Sequence, residues 1–287
     1  MLLLSASRPR RGVAGVSETS EYYRGKVAVV TGGASGVGLA LAEAMLSDGA
    51  RGVVLADFND ENLQREAARL EAGHRGKVLG VHCDVTKEAD VQAMIGRAAQ
   101  FGGGRIDLLF NNAGAGLAGL FDQQTNDDWA KAFALNFYGA LYGIRAVLPV
   151  MRAQGGGHIV DVISGIAFSP MAQQTMYAAT KAALNGLTLA LRYELWDENI
   201  RLSSATPGTT ATAIWKAGGG KAPPGAQSAE QSARSILAGV ARNERLVLGD
   251  ENDRRGAMTC FHPDAAEGVD AYLLNVARKR RAGEWVV

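Results

Sequence analysis

The chain reads as an α/β protein: a doubly wound, seven-stranded parallel sheet flanked by helices on both faces. Three observations predict it. Short apolar runs alternate with stretches of helical spacing along most of the chain, the order of a parallel sheet closed by crossover helices. Those runs are nearly continuous in apolar residues, as strands buried on both faces are. Glycine and other small residues collect where the runs end, and strand ends are where such sheets hold ligands.

Lys26 to Thr31 is the first strand, followed by the turn Gly32-Gly33-Ala34-Ser35-Gly36-Val37-Gly38 and by helical spacing from Leu39 to Leu46. Strand, glycine turn and helix present backbone N–H groups and a helix N-terminus to a phosphate. The spacing T-G-x-x-x-G-x-G differs from G-x-G-x-x-G, but its glycines still permit unusual φ and a close diphosphate. No G-K-[ST] ending follows, which excludes a nucleoside-triphosphate loop. A purely structural glycine turn is the plainer alternative.

Gly52 to Asp57 is the second strand, and Asp57 lies nineteen positions after Gly38. An acid there suits the two ribose hydroxyls of an adenosine. It would repel a 2′-phosphate, and neither Phe58 nor Asn59 brings a cation to attract one. The sequence therefore favours NAD over NADP. Asp57 as a cap of the helix from Asn62 to Glu71 is the competing explanation.

Lys77 to His82, ending in Asp84-Val85, is the third strand, and Val91 to Phe101 a helix. Arg105 to Phe110 is the fourth strand, closed by Asn111-Asn112-Ala113-Gly114. A long helical stretch from Trp129 to Met151 contains Asn136. His158 to Ile163 is the fifth strand, with His158 taken as a turn residue rather than a base. The helix Tyr177 to Trp196, the strand Ile200 to Ala205, the helix Gln227 to Ala241 and the strand Arg245 to Gly249 complete the series.

The chemistry concentrates between Ser164 and Lys181. Tyr177 and Lys181 stand four residues apart at the start of a helical run, hence on one face. A cation beside a phenol favours the phenolate and moves it toward the range of a general base. Ser164, thirteen positions before Tyr177, ends the fifth strand with a hydroxyl suited to a reacting oxygen. Alone the pattern also fits a tyrosine packed on a lysine stem, so context must decide. After Pro207-Gly208, the stretch with Thr209, Thr210, Thr212, Ile214, Trp215 and Gly218 to Gly220 reads as an active-site lid over about 207–227, or as a plain connector. Trp215 fits a pocket wall or a loop anchor equally well.

Net charge is +1 over 287 residues, so nothing suggests a nucleic-acid footprint or an electrostatic membrane anchor. No apolar run approaches the roughly 20 residues of a membrane helix. Cys83 and Cys260 have neither metal-ligand spacing nor a disulfide framework. No metal is expected, and a reducing, cytoplasmic setting is. The first 24 residues hold Met1 to Leu4 and Arg8, Arg10 and Arg11, with no acid before Glu18. They read as a mobile extension, or alternatively a targeting segment, before a single domain over 25–287. Arg278 to Arg281 reads as a solvated helix end.

Taken together, Thr31-Gly32-x-x-x-Gly36-x-Gly38, Asp57, Asp84, Asn111-Asn112-Ala113-Gly114, Asn136, Ser164, Tyr177-x-x-x-Lys181 and Pro207-Gly208 resemble the ordered motifs of short-chain dehydrogenases/reductases, over about Lys26 to Leu248. The resemblance implies a Rossmann sheet binding NAD, with Tyr177 as general acid/base and Lys181 lowering its pKa and holding the nicotinamide ribose. It gives Ser164 the role of orienting the substrate oxygen and Asn136 that of holding a relay water. It places cofactor contacts at Gly32, Ala34, Ser35, Gly36, Val37, Gly38, Asp57, Phe58, Asp84, Val85, Asn112, Ala113, Gly114, Tyr177, Lys181, Pro207, Gly208, Thr210 and Thr212. The expected reaction interconverts a secondary alcohol and a ketone on a small or medium, uncharged to moderately apolar substrate, and the expected assembly is a homodimer or homotetramer pairing the two long helices. An NADP-preferring carbonyl reductase is the alternative, and a non-catalytic NAD sensor a further one. Asp161 departs from the family's usual Asn, and Ile163 from its usual Ser or Gly.

Overall fold

The computed structural model describes residues 18–213 and 222–284. Seven strands form one parallel sheet in the order β3-β2-β1-β4-β5-β6-β7. They are β1 (Val27–Thr31), β2 (Gly52–Asp57), β3 (Val78–His82), β4 (Leu108–Asn111), β5 (Gly157–Val162), β6 (Ile200–Ala205) and β7 (Leu246–Val247). This is the doubly wound Rossmann arrangement. The strand order reverses between β1 and β4, so a crevice opens beyond Thr31 and Asn111 at the carboxyl ends.

The helices are α1 (Glu18–Tyr23), α2 (Gly36–Ser47), α3 (Asp60–Gly73), α4 (Glu88–Phe101), α5 (Asn126–Phe133), α6 (Gly139–Ala153), α7 (Thr175–Glu194), α8 (Ala229–Ala241), α9 (Glu251–Thr259) and α10 (Ala266–Arg281). Successive strand residues feed opposite cores, which is why the strands read as unbroken apolar runs. Ala28, Val30, Leu55 and Phe110 pack with Leu41 and Met45 of α2 and Ile236 of α8. Val29, Val54, Leu109 and Ile159 pack on the other face with Met94 of α4 and Ile144 of α6.

Four local readings change. The Trp129–Met151 stretch is two helices joined by a π turn at Ala134–Tyr138, and it starts earlier because Thr125 and Asp128 form a capping box. Continuous through that turn, Asn126–Ala153 is long and apolar enough to cross a membrane by length and composition. It packs instead against α4 and α7 within the body.

The body also begins before Lys26. Tyr23 of α1 is fully buried, its hydroxyl donating to Leu237 O at 2.8 Å. Residues 1–17, with the Leu and Arg runs, lie outside the described residues. His158 is a buried strand residue rather than a turn residue. Ser203 Oγ donates to Glu244 O, so it accepts from His158 Nε2 at 2.9 Å, and Nδ1 then accepts from the Tyr22 hydroxyl at 2.9 Å. At the other end Arg280 is not solvated. It is buried and donates to Ala172 O at 2.7 Å and Gln174 Oε1 at 2.9 Å, which ties α10 to the loop before α7.

Candidate active site

Tyr177 and Lys181 lie one turn apart on α7, both buried on the face toward β5. The Lys181 ammonium donates to Val162 O at 2.8 Å and stands 6.0 Å from the Tyr177 ring centroid. Burial lowers its pKa to about 8, opposed by the nearby Asp161 charge. The Tyr177 phenol is raised above its ordinary value by burial, with Ser164 drawing it down and Asp253 pushing it further up. The expected lowering by Lys181 therefore does not govern the phenol here. The ammonium is directed at a strand carbonyl, and desolvation of the ring outweighs it.

Ser164 leaves β5 and caps a single 3₁₀ turn, Gly165–Ala167, its Oγ accepting from Ile166 N at 3.4 Å. Asn136 enters from the π turn, the type of local widening often found at functional sites. It is 1 % exposed, and its amide clamps Ala115 from both sides: Oδ1 accepts from the N–H at 3.0 Å and Nδ2 donates to the carbonyl at 3.1 Å. Thr180 joins the two elements, accepting from Asn136 Nδ2 at 3.4 Å and donating to Tyr177 O at 2.9 Å. Gly114 completes the cluster. A Cβ there would lie 2.8 Å from Asn136 Oδ1 and 3.3 Å from Lys181 Nζ, so only glycine fits between them.

Asp161 lies beneath, fully buried, its oxygens accepting from Asn111 Nδ2 at 2.8 Å and Thr188 Oγ1 at 2.7 Å. Burial raises it to about 6, although those two donors and Lys181 all favour its charge.

Across the crevice the β1–α2 turn forms a cradle. Gly36 has φ +52°, and a Cβ on Gly38 would stand 2.2 Å from Gly32 O, so the turn closes only with these glycines. Ser35 at the N-cap makes no side-chain capping bond, which leaves the first N–H groups of α2 open to an anion. Ala34 is buried, Val37 half-buried and Ser35 exposed. Asp57 closes the turn, Oδ2 accepting from Ala34 N at 3.1 Å and Oδ1 from Asn59 N at 3.0 Å. Phe58 beside it is 73 % exposed, a free aromatic face at the crevice end of β2.

Asn112 binds this turn to β4, donating to Thr31 O at 2.9 Å, while the Asn112 and Ala113 N–H groups share Thr31 Oγ1. Asp84 is engaged locally by Thr86 and Lys87, which hold its carboxyl below the usual range. Val85 is buried against Gly139. Beyond β6, Gly208 N–H faces the start of α9, and Thr210 Oγ1 reaches Pro207 O at 3.0 Å and Ser232 at 2.6 Å. Thr212 returns to the cradle, its methyl 3.5 Å from where a Gly36 Cβ would be. The two legs of the expected lid are joined by Ala211 N to Gln227 O and Gln227 N to Thr209 O, each 2.9 Å. Its apex, with Ile214, Trp215 and Gly218 to Gly220, lies outside the described residues.

The short chain dehydrogenase family model matches residues 26–221, from the cradle through the tyrosine–lysine helix to the lid. The chain belongs to that family. An uncharacterized oxidoreductase of Staphylococcus aureus (strain MRSA252) is 38 % identical over 189 residues, covering 66 % of this chain and 80 % of that protein. A short chain dehydrogenase/reductase from Burkholderia phymatum, solved in complex with NAD, is 27 % identical with TM-score 0.73, covering 93 % of this chain and 98 % of that one. A short-chain dehydrogenase from Sphingobium yanoikuyae, in complex with NADPH, is 28 % identical with TM-score 0.73, covering 91 % and 96 %. The chain is thus a member of an oxidoreductase family.

Of the predicted residues, the fold brings Asn136, Ser164, Tyr177, Lys181 and Gly114 to one side of the crevice, and the cradle, Asp57, Asn112 and Thr212 to the other. A cavity of about 510 Å³ adjoins the site without entering it, lined by Ile166, Met171, Thr175, Ala178, Ala182 and Phe261. Thr180 and Asp253 were missed by sequence reasoning. Thr180 carried a usable signal, sitting inside the Tyr177–Lys181 turn. Asp253 carried none, because it arrives from a tail with no motif.

Proposed function

We propose that the chain is an NAD(H)-dependent dehydrogenase/reductase interconverting a secondary alcohol and a ketone, with Tyr177 as general acid/base. The observation that carries this reading is the burial of Tyr177 and Lys181 on one face of α7, beside Ser164 and opposite an uncapped glycine turn. The cradle would hold the diphosphate, Asp57 the adenosine ribose, and the backbone near Gly208 and Thr212 the nicotinamide end. When bound, the nicotinamide accepts or supplies the hydride.

The chain's own residues manage the oxygen. In the reductive direction the protonated Tyr177 phenol gives its proton to the developing alkoxide while Ser164 donates a hydrogen bond to the same oxygen. In the oxidative direction the phenolate takes the alcohol proton as the carbonyl forms. Lys181 donates one of three N–H groups to Val162 O, so two remain for ribose hydroxyls and for the charge that favours the phenolate. Asn136 fixes the loop against which Lys181 lies.

Asp57 supports the unphosphorylated cofactor, since its buried carboxylate, at the end of β2, would repel a 2′-phosphate on the adenosine ribose. The NADP(H)-preferring alternative draws only on the neighbour solved with NADPH. Assembly as a homodimer or homotetramer through α6 and α7 belongs to the same proposal.

Calorimetric titration with NAD, NADH, NADP and NADPH tests the cofactor assignment, followed by turnover assays on secondary alcohols and ketones. Preference for the unphosphorylated pair with turnover is expected. Preference for the phosphorylated pair overturns the role of Asp57. Binding without turnover of any alcohol or ketone returns the chain to the sensor reading.

A further inference from the structure

Asp253 is a carboxyl group beside the reacting centre with no role in the chemistry above. It sits in the first turn of α9, which lies against the turn that follows Ser164. A Cβ on Gly165 would stand 1.9 Å from Asp253 Oδ1, so the missing side chain is what admits the carboxyl there. One turn on, Gly256 packs on Ser169 Oγ, 2.4 Å from a would-be Cβ. Asp250 caps α9, Oδ1 accepting from Asp253 N at 2.8 Å, while its Oδ2 accepts from Thr209 N at 2.7 Å. α9 is thereby fastened both to the Ser164 turn and to the loop on the nicotinamide side.

The carboxyl is close enough for its charge to act on the Tyr177 phenol. Thr206 and Gly208 favour its ionised form, while burial pushes it up to about 6. Its Oδ2 is buried, and among the described residues nothing donates a hydrogen bond to it. Buried acceptors are ordinarily paired, so an open one on a carboxyl packed against the Ser164 turn calls for a donor from outside the chain. A carboxylate substituent would be repelled from the same place.

We propose that Asp253 is a specificity-determining residue, its Oδ2 accepting a hydrogen bond from a donor on the substrate carbon next to the reacting one. The proposal rests on the alcohol–ketone reading and narrows it. The site takes alcohols bearing a vicinal hydroxyl or ammonium group, and the matching ketones, in preference to plain ones. Ser164 holds the reacting oxygen, and Asp253, one residue away across Gly165, holds its neighbour.

Three probes that share the reacting CH(OH)CH₃ unit test this: 2-propanol, 1,2-propanediol and 1-amino-2-propanol. Their kcat/KM values are compared in the wild type, Asp253→Asn and Asp253→Leu, with nucleotide affinity and thermal melting reporting that each variant is folded. The wild type is expected to favour a donor-bearing probe over 2-propanol at least tenfold, and Asp253→Leu to reduce that ratio at least tenfold, whatever the absolute rates. Preference for the diol, partly retained in Asp253→Asn, assigns a hydroxyl. Preference for the amine, lost in Asp253→Asn, assigns an ammonium. A wild type that turns over the probes with no such preference, or a ratio unmoved by Asp253→Leu, overturns the role of Asp253 and leaves the reaction assignment standing. A wild type that binds nucleotide but oxidises none of the three, and reduces none of the matching ketones, overturns the reaction assignment and the role of Asp253 with it.

Discussion

At Tyr177 a single oxygen atom separates the proposed chemistry from mere packing. Tyr177→Phe keeps the ring, its burial and α7, and removes only the group that exchanges a proton. Nucleotide affinity should stay within about threefold, while turnover should fall by roughly 10² to 10⁴, the range of a general acid/base. Near-normal rates in a stopped-flow assay would remove the phenol from the mechanism. Asp161 gives the opposite kind of test. Its carboxyl is held up at about 6 by burial, so at pH 7 it is charged at a cost. An asparagine would satisfy the same partners: its oxygen accepts from Asn111, and its NH₂ donates to Thr188 Oγ1, which still donates to Leu184 O. Asp161→Asn should therefore stabilise the protein by about 1 to 2 kcal/mol at pH 7. The gain should shrink as pH falls through 6 and vanish below about pH 4, where the acid is neutral in the folded and unfolded chain alike, and denaturant melts at pH 7 and below pH 4 read it directly.

Elements decide which residues become a site. The four-residue spacing of Tyr177 and Lys181 was legible because a helix repeats every 3.6 residues, and α7 places both side chains on its buried face. The spacing could not show where the ammonium would point, since Val162 O lies on a strand nineteen residues away in sequence. The π turn at Asn136 was hidden for a related reason. One widened turn shifts the apolar spacing by a single residue, too little to show in a stretch this apolar, and the clamp on Ala115 is a contact between separate elements. α1 shows the same limit at the chain's start. Its acid-poor approach read as an extension, but two tyrosines anchor it. Tyr22→Phe would leave His158 Nδ1 a buried acceptor without its donor, at about 1 to 3 kcal/mol. Chemical denaturation measures it, and an unchanged midpoint would mean that α1 does not contribute to the stability of the body.

Over the whole molecule, two buried titratable groups and the half-buried Asp253 set an unusual pH dependence. His158 stays neutral in the folded chain, its pKa lowered from 6.5 to about 3 by burial and then by Arg192 and other cations. Its contribution is full above about pH 6.5 and is lost as pH falls toward 3, because the unfolded chain takes up a proton that the folded chain refuses. Asp161 and Asp253 act in the other sense. Both are raised to about 6, so between pH 6 and their unfolded values near 3.8 the folded chain holds protons that the unfolded chain lacks. Stability from these two rises as pH falls through that window. Two acids outweigh one histidine from pH 6 to pH 5. The melting temperature should therefore rise from pH 6 to pH 5, and Asp161→Asn should cancel most of that rise. A melting temperature that falls steadily over this range would show that other groups dominate.

The sequence by itself determined the sheet, its two faces, the glycine cradle and the helix that carries Tyr177 and Lys181. Each of these is written in local periodicity or in a turn that only glycine can make, and neither needs a distant partner to be read. Tertiary structure decided what those residues do to one another. It directed Lys181 at a strand carbonyl, buried the phenol, paired His158 with Tyr22 and brought Asp253 from a motif-free tail to the residue after Ser164. Burial and long-range contact are properties of a packed interior, and they set the charge states that chemistry depends on. A linear pattern specifies the groups, and only packing specifies their solvent and their neighbours.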